Sequence, residues 1–247
     1  MIIQSYENGF RADACIEYLR GLKSANRYDR ILLLPIPSTR DNKIITNTKV
    51  VINELIDTFD SSDVVSGYGL PEEFVMGARK NGALVIELDR DEEFLIENAE
   101  LTALATLGIF LSTTECSARD SKIGIVGYGR IGKKLTNLLL YLGASVRVFT
   151  SRKDMCLDLC ECGVATAMSS SNADLSGLDI LINTAPAVIF EAGFIPDKLR
   201  IIDLASGDNF PGVSRVEKYP SIPAKMFPRS AGRAWGRAIE RHLVNNQ

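Results

Sequence analysis

The chain has 247 residues, 46% of them hydrophobic and 24% charged, with a formal net charge of −3. That length suits one large or two small domains with sizeable cores. The charge balance gives no electrostatic case for binding nucleic acid or an anionic membrane. Met1–Phe10 lacks a basic segment followed by an apolar run, so no signal peptide is expected. No stretch reaches about 18 apolar residues, so no membrane span is expected either. Cys15, Cys116, Cys156, Cys160 and Cys162 are odd in number and loosely spaced, which argues against a disulfide framework. The last three cluster, but zinc needs two separated ligand pairs or histidine partners, and His242 is the sole histidine. They read as reduced thiols on a helix of a cytoplasmic protein, with no metal.

In chain order, Arg11–Leu22 carries apolar residues at helical spacing, and Arg30–Ile36 is an apolar run expected to form a buried parallel strand. A helix is expected over Lys49–Phe59 and a strand over Asp63–Gly67. Pro71 opens a helix through Lys80, and a strand follows over Ala83–Leu88. The Asp89–Glu93 charge run reads as a solvated turn, and Glu93–Thr113 as one long helix bridging two domains. The second half repeats the alternation. Strands are expected at Lys122–Val126, Ser145–Phe149, Ala165–Met168, Leu178–Asn183 and Arg200–Leu204. Helices are expected at Ile131–Leu142, Asp154–Cys162 and Arg233–Val244. Strand–helix alternation implies parallel sheets covered on both faces. The expected architecture is two doubly wound α/β domains with a cleft between them. Residues 1–92, joined by the closing helix 233–247, form a flavodoxin-like substrate domain, and 93–232 form a Rossmann dinucleotide-binding domain.

The sharpest motif is Gly127-Tyr128-Gly129-Arg130-Ile131-Gly132, placed directly between a strand of small and branched residues and an amphipathic helix. Gly127 permits the tight turn, Gly129 lets backbone approach a pyrophosphate, and Gly132 lets helix and strand pack closely. The helix N-terminus offers free N–H groups to the phosphates. NAD-binding domains usually end the next strand with Asp or Glu; here Phe149 is followed by Thr150-Ser151-Arg152-Lys153. Ser151, Arg152 and Lys153 would attract a 2′-phosphate that a carboxylate would repel, which favours NADP over NAD. Ligands on open α/β sheets lie beyond the carboxyl ends of the strands. Thr184, Ala185 and Pro186, and then Ala205 and Ser206, therefore belong where the cofactor's ribose and nicotinamide would lie.

These motifs, in this order, resemble the family of dipicolinate synthase A chains, itself related to the D-2-hydroxyacid dehydrogenases and to the NAD domain of S-adenosylhomocysteine hydrolase. The resemblance runs from about Ile31 to the C-terminus. It rests on Leu33-Leu34-Pro35-Ile36 leading into Ser38-Thr39-Arg40, on Ser66-Gly67, and on Asn98-Ala99 with Thr102-Ala103. It continues through Asn183-Thr184-Ala185-Pro186 and Asp203-Leu204-Ala205-Ser206 to the ending Pro220, Ile222, Pro223 and Pro228–Gly232. It implies NADP-linked oxidation of a dihydrodipicolinate-type intermediate to pyridine-2,6-dicarboxylate. It also implies a flavoprotein-like partner of the dipicolinate synthase B type and a place in the mother cell of a sporulating bacterium; self-association is left open. The chain departs from the family pattern at Leu104 and Ala105, where the family has glutamate and glycine, and at Ser221 and Ala224, where it has glycines. Met1–Tyr6 lacks the family's glycine-rich opening strand.

Hydride transfer is the nicotinamide's chemistry, with the protein positioning and polarising. His242 lies near the end of the closing helix and reads as a surface residue, which counts against simple 2-hydroxy acid oxidation. Aromatisation of a dihydropyridine demands only a weak base, so Asn98, Thr102 and Ser206 are the candidate catalytic groups, with Asp208 a weaker one. A dicarboxylate needs cations and hydroxyls to fix it. Ser38, Thr39, Arg40, Ser66, Gly67, Arg229 and Ser230 are the candidates, with Arg233 four residues beyond Arg229. Two alternatives stay open: a non-catalytic or partner-dependent Rossmann protein, suggested by the missing glutamate at Leu104, and a reductase of another small keto or imino acid.

Overall fold

The computed structural model describes residues 1–247 except 24–26, 42, 45–49, 156–158, 160–163, 171 and 246–247. The expected helix from Asp154 and the cysteine cluster at 156, 160 and 162 therefore lie largely outside the described residues. Two compact units form, Met1–Asn98 with Pro223–Gln247, and Ala99–Ile222. The sequence pattern divides the chain after residues 92 and 232; contacts divide it after Asn98 and Ile222.

In chain order the first unit holds β1 (Ile2–Ser5), α1 (Phe10–Arg20), β2 (Arg30–Leu33), a short antiparallel pair β3 (Thr39–Arg40) and β4 (Lys43–Ile44), β5 (Asp63–Gly67), α2 (Glu72–Lys80) and β6 (Leu84–Glu87). The parallel sheet has the order β1-β2-β5-β6. Its register pairs Ile31 with Val64 and Leu32 with Val65, so alternate residues feed opposite faces. On one face Ile31, Leu33, Val64 and Ile86 pack with Cys15 and Leu19 of α1 and with Trp235. On the other, Leu32, Val65 and Val85 pack with Phe74, Val75 and Ala78 of α2. The steps from β1 to β2 and from β5 to β6 run the same way across the sheet, yet α1 and α2 cover opposite faces. The two crossovers therefore have opposite hands, and one is left-handed, against the strong general preference for right-handed connections.

The bridging helix α3 (Glu92–Thr113) starts in the first unit and ends in the second. It is long and apolar enough to cross a membrane by length and composition, with mean hydropathy 1.5 over its best window, 44% of which is buried inside the protein. Core helices pass the same test.

The second unit continues with β7 (Lys122–Val126), α4 (Arg130–Tyr141), β8 (Ser145–Thr150), β9 (Ala165–Met168), β10 (Ile180–Asn183), β11 (Arg200–Asp203) and β12 (Val216–Lys218). All six strands are parallel, in the order β12-β11-β10-β7-β8-β9. This is the doubly wound order, and it reverses between β7 and β10. Phe149 and Phe190 meet edge to face at 5.7 Å in a core with Val126, Leu181 and Ile201.

The chain then returns to the first unit through α5 (Ile222–Met226) and α6 (Pro228–Asn245). The closing helix starts at Pro228, five residues before the expected Arg233. It lies close against α1 because two glycines let it: a Cβ on Gly232 would come within 2.2 Å of the Arg11 carbonyl, and one on Gly236 within 2.5 Å of the Tyr18 ring. Other expectations also shift. The helix expected at Lys49–Phe59 is a 3-10 helix, Ile52–Thr58, following the β-branched pair Val50-Val51, which suits extended backbone better than a helix start. The strand expected to run to Ile36 stops at Leu33, two residues before Pro35, which has no N–H to give to the ladder.

Candidate functional site

The loop after β7 crosses the carboxyl ends of β7 and β10, where the strand order reverses. Gly127 has φ 87°, open to glycine alone without strain. A Cβ on Gly132 would sit 2.1 Å from the Gly127 carbonyl oxygen, so α4 packs against the loop only with glycine at that position. Around Gly129 the situation is reversed, since a Cβ there would meet nothing within 4 Å. Thr184 ties the two strand ends together: its hydroxyl donates to the Val126 carbonyl at 2.8 Å.

Beside this loop is a cavity of about 490 Å³ lined by Gly127, Tyr128, Gly129, Thr150, Ser151, Arg152 and, from two further segments, Ser169, Ser170, Ala185 and Ala187–Ile189. The structure thus brings together Gly127, Gly129, Ser151, Arg152 and Ala185 from the sequence motifs. Gly132 is buried beneath the loop, while Arg130 and Lys153 are exposed and Ile131 half-buried. Pro186 is exposed on the loop between Ala185 and Ala187. Arg152 pairs with Asp154 at 2.5 Å, and this guanidinium holds the Asp154 carboxyl below its usual range.

Sequence reasoning missed a buried polar network at the ends of β10 and β11. Asp203 is 1% exposed. It accepts from Asn183 Nδ2 at 2.8 Å, from Asn209 Nδ2 at 3.1 Å and from the Ala205 N–H at 3.2 Å. Asn183 in turn accepts from the Ala185 N–H at 3.1 Å. The loops carrying Ala185 and Ala205 are therefore shaped by one carboxylate and two amides. The signal available in sequence was a polar residue closing each of two otherwise apolar strands. Ser206 and Asp208 are exposed beyond this network, with Lys218 on Asp208 at 3.1 Å.

In the first unit the candidate substrate residues separate. Ser38 is fully buried; its hydroxyl donates to the Pro35 carbonyl and accepts from the Tyr68 N–H, each at 2.8 Å. Ser66 is also fully buried and accepts from Trp235 Nε1 at 2.9 Å. Gly67 is packed so tightly that a Cβ would lie 2.6 Å from both Leu70 and Ser38. These three are buried in the unit's interior, each with its present partners there. Thr39 is half-buried and Arg40 exposed on the β3–β4 pair.

Arg229 and Ser230, exposed in the first turn of α6, line a cavity of about 550 Å³ with Phe10, Asp13, Glu17 and Met226. Among the described residues, Arg229 has no ion-pair partner. Arg233 is exposed one turn further along α6. On α3, Asn98 is half-buried, Thr102 is 5% exposed with its carbonyl accepting from the Thr106 hydroxyl at 2.8 Å, and Leu104 is 39% exposed. His242 contacts Asp91 at 3.2 Å at the end of the closing helix.

No family model matches the chain. It is 23% identical over 235 residues to the dipicolinate synthase A chain of Bacillus subtilis (strain 168), covering 87% of this chain and 78% of that protein. The solved dipicolinate synthase A structures from Bacillus halodurans and Bacillus subtilis superpose with TM-scores of 0.78 and 0.79 at 22% and 18% identity. Each covers 98% of this chain, and 97% and 94% of its own, respectively.

The chain is similar to the dipicolinate synthase A proteins in sequence and in fold.

The same fold is shared with a D-isomer-specific 2-hydroxyacid dehydrogenase from Lactobacillus delbrueckii ssp. bulgaricus, solved in NAD-complexed form. It is 10% identical with TM-score 0.54, covering 99% of this chain and 96% of that one. At these identities the structural likeness is one of fold. The shared architecture is one of two α/β units, each built on a parallel sheet.

Proposed function

We propose that the chain is an NADP-linked oxidoreductase acting on a small carboxylate, with oxidation of a dihydrodipicolinate-type ring as the reaction its relatives suggest. The carrying observation is the open cradle at Gly129, beside Ser151 and Arg152, at the reversal point of the second sheet. The backbone of 127–132 would hold the diphosphate, and the N-terminus of α4 would add its partial positive charge. Ser151, Arg152 and Lys153 would face the extra phosphoryl group. Thr184, Ala185, Pro186 and Ala205 would line the nicotinamide half, on loops shaped by Asp203. Bound NADP would supply the hydride acceptor. Among the chain's own residues, Asn98 and Ser206 are the groups proposed to orient substrate or relay the released proton, and Arg40 and Arg229 those proposed to hold carboxylate. A flavoprotein-like partner and a sporulating mother cell belong to this reading too.

A second reading is favoured by Asp13 and Glu17, which share the Arg229 cavity. Two carboxylates repel a dicarboxylate but suit a monocarboxylate bearing a cationic imine nitrogen. Reduction of a small imino acid would suit the charge balance of that cavity. The test is calorimetry with NADPH and NADH, followed by turnover assays on dihydrodipicolinate and on a panel of keto and imino acids. Absence of any dinucleotide binding would overturn both readings. Turnover of imino acids alone would select the second.

A further inference from the structure

Four polar residues from two neighbouring strand ends line the cavity beside the glycine loop. Ser151 and Arg152 follow β8, and Ser169 and Ser170 follow β9. β8 and β9 pair in register up to Thr150 and Met168, and the Ser169 N–H donates to the Thr150 carbonyl at 3.0 Å, so the two ends are held side by side. The Thr150 hydroxyl accepts from the Arg152 N–H at 3.2 Å and sets the course of the backbone there. Ser169 is half-buried and Ser170 exposed. The Ser170 hydroxyl reaches Asn172 only at 3.4 Å, which leaves it easily redirected. The Arg152 guanidinium is turned onto Asp154 at 2.5 Å, and both side chains are about two-thirds exposed, at 65% and 63%.

Such a surface pair is weak and easily exchanged. A phosphomonoester dianion offers a guanidinium more charge and more acceptor oxygens than a carboxylate does. Serine hydroxyls add donors without adding repulsion, and they leave a ribose 2′-hydroxyl equally well served by water.

We propose that Ser169 and Ser170 complete, with Ser151 and Arg152, a binding site for the phosphomonoester on an adenine ribose, and that Asp154 competes with that group for Arg152. Asp154 thereby sets how strongly the site prefers the phosphorylated dinucleotide. This assignment rests on the NADP reading above and adds three specificity residues to it.

The experiment is calorimetry of the full chain with NADPH, NADH and adenosine 2′,5′-bisphosphate. It compares the native protein with the S169A/S170A double variant and with Asp154→Asn; circular dichroism checks the fold of each. The double variant should weaken NADPH and the bisphosphate by about tenfold, the worth of one charge-assisted hydrogen bond, and leave NADH unchanged. Asp154→Asn should tighten NADPH several-fold, again without effect on NADH. If dinucleotides bind but neither variant alters the ratio of NADPH to NADH affinity, the assignment of these three residues is wrong while dinucleotide binding stands. If none of the three ligands binds the native protein, both fall.

Discussion

Asn183 and Asp203 join the carboxyl ends of β10 and β11 through a 2.8 Å hydrogen bond between two side chains that are each 1% exposed. A carboxylate at that depth is tolerated because an amide from Asn209 and a backbone N–H from Ala205 complete its partners. Replacing Asp203 with Ala would leave these donors unpaired. The expected cost is about 3 kcal/mol in chemical denaturation, together with weaker dinucleotide binding as the Ala185 and Ala205 loops relax. Wild-type affinity in a destabilised variant would show that the network serves the fold alone.

The glycine loop offers a contrast within one motif. Gly132→Ala forces a methyl into the Gly127 carbonyl and is expected to destabilise the second unit by about 2 kcal/mol. Gly129→Ala meets nothing in the structure and should leave the melting temperature unchanged. It should nonetheless weaken NADPH by at least about tenfold if a diphosphate passes over that backbone. Thermal melts paired with calorimetry separate the two effects.

Ser66→Ala and Ser38→Ala test whether these buried serines act on substrate. Each removes a partner from a buried donor: Trp235 Nε1 for Ser66, the Tyr68 N–H for Ser38. Each should lower stability by about 1–2 kcal/mol while leaving KM for any substrate within error. A large KM change without destabilisation would instead place them at the substrate site.

Asp91 makes the first unit sensitive to acid. It is the N-cap of α3: its carboxylate accepts from the Phe94 N–H at 2.8 Å and from Arg241 at 2.7 Å, with His242 at 3.2 Å. Burial works to raise its pKa, but the Phe94 N–H, Arg241 and His242 outweigh burial and hold it below the usual carboxylate value of 3.8. A folded-state pKa below the unfolded one stabilises the fold above that unfolded value, and the benefit is lost as pH falls through the folded one. Asp91→Ala should therefore cost about 1 kcal/mol near neutrality, the usual worth of an N-cap. The difference from the native protein should shrink below about pH 4. Denaturation curves between neutrality and about pH 3 would reveal it, and a pH-independent difference would refute the assignment.

Much of the secondary structure was legible because burial imposes a period. Leu32 and Leu34 alternate with Ile31 and Leu33 across a sheet covered on both faces, so the whole run is apolar. The weaker elements escaped for a related reason. β1 and β12 are edge strands with half-exposed patterns, and the three-residue β12 is too short to show a period. Ser38 and Ser66 looked like polar loop residues at strand ends. Only their partners, supplied by Tyr68 and by Trp235 169 residues further along the chain, reveal them as interior groups.

What the linear order alone determined is local: a glycine spacing between strand and helix, cations in place of a carboxylate after β8, and the alternation that makes parallel sheets. These follow from backbone sterics and charge within a few residues. What only the folded chain decided is which polar groups face solvent and which face each other. Hydrogen-bond partners such as Asn183 and Asp203, or Ser169 beside Thr150, come from separate strands, and strand order sets their meeting.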